Sequence, residues 1–153
     1  MLLELEELED YSLIGIHTSE EDYRLAYLLN KNLNTSFSKH NQYLDFKNNN
    51  AAFSIYEFFD ESKQQDNFLI SNKFIGNYTQ VANANLFSDS ISYSTTSYLI
   101  PEKKKVDFFL KIEGETLPNE IKIIIEKLNN IHQIITSYSI DPSELKSKDF
   151  LIF

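Results

Sequence analysis

The stretch Leu13-Ile14-Gly15-Ile16-His17-Thr18-Ser19 changes character half-way along. Its first four residues form an apolar run with β-branched side chains, which suits a strand, and its last three are polar residues of the kind that open helices. Thr18 with Glu21 makes a capping box, and Ser19 with Asp22 offers a second register for one. Leu25, Leu28, Leu29 and Leu33 then fall on one stripe at helical period, so the spacing predicts a helix over 19–33. Pro118 opens a second such unit, because a proline in the first helical turn loses a hydrogen bond that would not be made there. Ile121, Ile124, Ile125, Leu128 and Ile131 follow it and predict a helix over 118–131.

Two one-sided helices need apolar surface to cover, and the rest of the chain supplies strands. Residues 51–59 and 68–74 read as a hairpin with a long polar loop, residues 91–100 and 106–112 as a second hairpin broken at Pro101, and residues 134–140 as a last strand. Residues 76–90, rich in Asn, Ser and Thr, read as a long connection and as the likeliest mobile stretch. The apolar end, Phe150-Leu151-Ile152-Phe153, must be tied down. The expected fold is α+β, a two-layer sandwich with a largely antiparallel sheet and two main helices. Residues 1–153 are expected to make one domain, with 76–90 as the place where it would divide.

Composition narrows the function. With 153 residues, 42% of them hydrophobic, the chain can bury a core without staples. A net charge of −9 repels polyanions and opposes a nucleic-acid partner. The absence of cysteine rules out disulfides, thiolate metal sites and a cysteine nucleophile, and fits the cytoplasm. Met1 to Glu7 has no basic leader, and no apolar run approaches the roughly 18 residues of a membrane span. No phosphate loop, dinucleotide fingerprint or zinc-protease motif occurs, and the three histidines have no metal-ligand spacing, so neither a cofactor nor a metal is expected. Ser12, His17 and Asp22 lack the turn that presents a catalytic serine, and no enzyme activity is expected.

The most distinctive stretch is Ile100-Pro101-Glu102-Lys103-Lys104-Lys105-Val106-Asp107-Phe108-Phe109. It resembles the signature of the IPExxxVDY family of small proteins from Bacteroidetes-type bacteria, with Phe108 where the family name has tyrosine. Residues 13–17, 22–30 and 134–153 also look like that family, so the resemblance spans nearly the whole chain. It implies a lineage without an assigned activity, cofactor or catalytic residue. The genes of the family often neighbour those for ribonuclease III and pyruvate kinase, which suggests an accessory role in RNA metabolism that the charge opposes.

Two candidate sites follow from the residues themselves. His17, Thr18 and Ser19 lie where a strand meets a helix, a place where backbone N–H groups hold a small anion; Glu20, Glu21 and Asp22 already bring negative charge to it. The second site is the Pro101 turn and its flanks. Lys103, Lys104 and Lys105 make a basic finger on an acidic body, and period 2 places Val106, Phe108, Leu110 and Ile112 on one face with Asp107, Phe109 and Lys111 on the other. Either both faces are packed, by helices on one and loops on the other, or Tyr98, Asp107 and Phe109 belong to an exposed interface. The leading expectation is a cytoplasmic, non-enzymatic module that binds another protein or a second copy through a sheet face or edge. A sensor of small anions at the His17 turn is the alternative.

Overall fold

The computed structural model describes residues 10–40, 44–46, 51–81 and 90–152. Met1 to Glu7, the polar break at 48–50 and Phe153 lie outside them. Ten strands and two α-helices occur among the described residues: β1 Tyr11–Thr18, α1 Asp22–Leu33, β2 Ser38–Lys39, β3 Leu44–Phe46, β4 Ala51–Phe53, β5 Ile55–Asp60, β6 Gln65–Ser71, β7 Lys73–Val81, β8 Ser90–Tyr98, β9 Phe108–Glu113, α2 Pro118–Asn129 and β10 Ile134–Ile140. Six strands form one sheet in the order β10-β1-β9-β6-β5-β2, and every neighbouring pair is antiparallel. The N-terminal strand thus sits between two strands from the far end of the chain. Because β1 is antiparallel to both, β9 and β10 run parallel to each other and are joined by the crossover helix α2.

This is the expected α+β sandwich, with both helices on one sheet face. Ile14 and Ile16 from β1, and Phe108, Leu110 and Ile112 from β9, meet Leu25, Leu28 and Leu29 of α1 and Ile121 and Leu128 of α2. Leu25 and Leu29 are wholly buried, as the four-residue spacing of their stripe requires. The opposite face is covered too. Leu13, Phe68, Ile70 and Phe109 point into a second core closed by Leu99, Ile100 and Val106 from the proline turn and by Leu145 and Leu151 from the C-terminal segment.

The helices and β10 lie close to where periodicity puts them, and several boundaries move for identifiable reasons. Helix α1 starts at Asp22 rather than at residue 19, because Thr18 Oγ1 is engaged elsewhere: it donates to the Gln133 carbonyl at 2.7 Å and accepts from the Glu20 N–H at 3.1 Å. The strand expected over 51–59 is split at Ser54 into β4 and β5, and the run 68–74 is split at Asn72 between β6 and β7. The hairpin expected between 91–100 and 106–112 does not form. Strand β8 pairs with β7 over nine residue pairs, while β9 lies between β1 and β6. Residues 76–81 and Ser90 are therefore strand and not connection; residues 82–89 lie outside the described residues.

Val106 is also displaced from the face that strict alternation gives it. Regular strand begins only at Phe108, so Val106 and Phe109 share the second core. The C-terminal segment is tied down by Leu151, which is fully buried, and by Lys111, whose Nζ donates to the Leu151 carbonyl at 2.6 Å. Lys111 itself is only 3% exposed; its ammonium also meets Glu113 Oε1 at 3.2 Å and lies 4.9 Å from the Tyr11 ring. A lysine enters a core only with partners of this kind for its charge.

Candidate functional site

Asn72 organises the region where the two expected sites meet. It is completely buried between β6 and β7, and its carboxamide reaches across to the proline turn. Nδ2 donates to the carbonyls of Lys103 at 2.9 Å and Val106 at 2.8 Å, and Oδ1 accepts the Ile100 N–H at 2.8 Å. Its backbone adds two more bonds, its N–H to the Asp107 carbonyl and its carbonyl from the Leu99 N–H. Residues 99–107 thus wrap around one side chain. Nothing in the sequence near Asn72 marks it, because its partners lie some thirty residues away in the chain.

The signature residues have structural positions in this wrap. Ile100 and Val106 are buried, and Pro101 opens a 3-10 turn at Pro101–Lys103, where it needs no backbone donor. Glu102 reaches the C-terminal segment: Oε2 accepts the Ser147 N–H at 2.8 Å and Oε1 the Ser147 hydroxyl at 2.9 Å. Partial burial of Glu102 raises its pKa, but hydrogen bonds from its own backbone, from Ser147 and from Lys146 outweigh that and hold the carboxyl below its ordinary value.

Asp107 joins the wrap to the strand-to-helix turn. Its Oδ2 accepts the Thr18 N–H at 2.9 Å, and its Oδ1 accepts from Lys73 Nζ at 2.5 Å. The side chain of Asp107 is only 17% exposed, so the charge pair is partly shielded from water. The carboxylate stands where the sequence reading puts a free anion. Thr18 is buried beneath it, Ser19 is exposed, and His17 faces away to pair with the Tyr138 hydroxyl at 2.8 Å. A cleft of about 580 Å³ opens beside the Asp107–Lys73 pair, with Glu20, Glu21 and Asp22 in its wall, an acidic lining that repels anions.

Phe109, expected as an exposed interface anchor, has no exposed surface at all. It lies in the second core with Ile70 and Ile100, so the packed alternative holds at that position, and the half-buried Asp107 ties the proline turn to Thr18 and Lys73. The other candidates stand at the surface. Tyr98 is half-buried at the end of β8, paired in register with Lys73, and Lys104 Nζ lies over its ring at 5.7 Å. Lys103 is half-buried, and Lys104 and Lys105 are exposed.

Tyr98 belongs to a separate two-stranded sheet, the β7–β8 ribbon. The β7–β8 ribbon pairs with no strand of the six-stranded sheet. Nine residue pairs make it roughly 27 Å long at about 3.4 Å per residue. One face of the ribbon carries an aromatic row. Phe74 packs edge-on to Phe53 of the body with ring centres 6.4 Å apart; beyond it Tyr78 stacks on Tyr93 at 5.5 Å. Gly76 lies between them because a Cβ there would stand 2.9 Å from the Tyr78 ring. Along that row and its reverse, Ile75, Ile91 and Tyr93 are exposed by 62%, 59% and 48%. No residue of 74–81 or of Ser90–Tyr98 is charged, in a chain of which 24% is.

Compared with protein-family models, curated proteins and solved structures, the chain matches none. Among the described residues no cluster of three or more acidic or histidine side chains is placed to hold a metal, and no helix is long and apolar enough to cross a membrane.

Proposed function

We propose that the chain is a non-enzymatic, cytoplasmic protein-binding module, of the IPExxxVDY lineage that its signature resembles, whose contact element is the β7–β8 ribbon. The ribbon carries the reading. A two-stranded ribbon is marginally stable in water by itself, and this one is held at its root by Asn72 and by the Lys73–Asp107 pair while most of its described side chains face solvent. Its composition suits contact: tyrosine gives large rigid area at low entropic cost, and serine, threonine and asparagine supply adaptable hydrogen bonds. Exposed Ile91 and Tyr93 are the anchors, and the lysines at 103–105 form a basic rim beside the root.

Affinity capture from native lysate, treated with nuclease, tests this with the full chain and a double variant, Ile91→Asp with Tyr93→Asp. A control, Tyr23→Asp, alters the exposed outer surface of α1. Partners retained by the wild type and the control but lost by the double variant support the ribbon. An identical captured set from all three overturns it.

A further inference from the structure

The ribbon's outer edge is open in a way that the body's edges are not. The main sheet ends on one side in β2, which is two residues long and contains Lys39. On the other side it ends in β10, which is uncharged but plugged. Asn129, the last residue of α2, accepts the Ser137 N–H on Oδ1 at 2.8 Å and donates from Nδ2 to the Ser137 carbonyl at 3.3 Å. One carboxamide thus occupies the backbone groups that an incoming strand would use. Strand β8 has no such guard among the described residues. It pairs on one side with β7 without a shift in register, and it contains no proline, lysine or acidic residue.

Resting on the ribbon as contact element, we propose that its partner is a second copy of this chain, docked edge to edge so that two β8 strands run antiparallel about a two-fold axis at Ser94. Two ribbons then form one four-stranded sheet. Charge selects this occupant. Each copy carries −9, so two copies approach with least repulsion where neither presents a charge, and the β8 edge is such a place. A basic partner would instead be met by acidic side chains, which the ribbon lacks. The arrangement is self-complementary, as a two-fold interface requires. It sets Tyr93 against Thr95 of the second copy on one face and Ser92 against Thr96 of the second copy on the other, pairing an aromatic with a β-branched side chain and hydroxyl with hydroxyl. A single pair of nine-residue edges makes a small interface, so a weak, concentration-dependent dimer is expected.

Sedimentation velocity of the full chain, from about 1 to about 200 micromolar, reads the association directly. Wild type is expected to pass from monomer to dimer across that range. Ser94→Lys and Ser94→Glu each place like charges face to face at the axis, so each alone is expected to weaken the dimer at least about tenfold with an unchanged thermal melt. An equimolar mixture of the two restores it, because opposite charges then meet. A wild type that stays monomeric throughout overturns self-pairing, as does a Ser94→Lys dimer as tight as the wild type. Loss of self-pairing leaves the ribbon as contact element standing when Ile91→Asp with Tyr93→Asp still abolishes lysate capture. When that capture is also unchanged, both fail.

Discussion

Asn72 Oδ1 accepts the Ile100 N–H at 2.8 Å inside a region with no access to water. Asn72→Ala would leave that donor and the Val106 carbonyl without their partner, while the Lys103 carbonyl keeps only the Val106 N–H. Each buried group left unmade costs roughly 1–3 kcal/mol, so the expected loss is about 3 kcal/mol or more, measured by denaturant melts. Asn72→Asp fares no better, since it can accept from Ile100 but cannot donate to two carbonyls.

Asp107→Ala removes the carboxylate that joins Thr18 to Lys73. Hydrogen bonds to charged groups contribute roughly 1.5–3 kcal/mol, and a loss of about 2 kcal/mol is expected in a denaturant melt. The vacated space is the size of a small carboxylate, with an N–H and an ammonium facing it. Acetate or formate at about 100 mM is therefore expected to raise the melting temperature of the variant and not of the wild type. An equal response from both proteins would show that the carboxylate does not fill the anion position.

Phe109→Ala opens a cavity in the second core. A fully buried phenylalanine truncated to alanine costs about 3–5 kcal/mol through lost transfer energy and the cavity left behind. Denaturant melts should show that loss. A variant with unchanged stability and altered association would return Phe109 to the surface.

Lys111→Met keeps the volume and removes the ammonium. Relief of a buried charge offsets the lost bond to Leu151, so global stability is expected to shift by less than about 1.5 kcal/mol. The local effect is larger: amides of residues 145–152 should exchange with solvent several-fold faster, read by hydrogen-exchange mass spectrometry.

Glu102 gives a pH signature. Its folded pKa lies below its ordinary value of 4.5, so its contribution is fully present above that value and is lost as pH falls through the depressed folded value. The stability difference between wild type and Glu102→Gln should therefore be widest at about pH 6 and close toward about pH 3. A difference constant over that range would mean that the carboxylate's charge plays no part.

Much of this architecture could be read from spacing, and what escaped has a common cause. The stripes at Leu25–Leu29 and Ile121–Leu128 and the alternation of Phe108, Leu110 and Ile112 are local signals of one-sided burial, and each matches a buried surface. The ribbon gives no such signal. Its side chains are mostly exposed on both faces, so Ser, Thr, Asn and Tyr alternate without apolar contrast and the stretch resembles a loop. Tyr98 and the lysines at 103–105 are singled out by the proline turn that they flank, although the hairpin expected there joins other strands. Asn72 and Asn129 are not legible at all, and of Lys111 only its sheet face is, not its burial or its partners. Each acts through carbonyls or N–H groups of residues distant in sequence, or on a strand edge, and a polar side chain carries no mark of which backbone it will meet.

The ribbon leaves and rejoins the body at one point. Asn72 precedes β7, Leu99 follows β8, and the Leu99 N–H bonds to the Asn72 carbonyl at 2.9 Å. That bond closes the loop, the Lys73–Asp107 pair and the Phe74 ring against Phe53 brace its root, and the path from β6 to β9 runs on through the proline turn. Beyond Phe74 and before Tyr98 the ribbon contributes no strand to the six-stranded sheet, so a change of length or sequence there leaves the body's sheet order as it is.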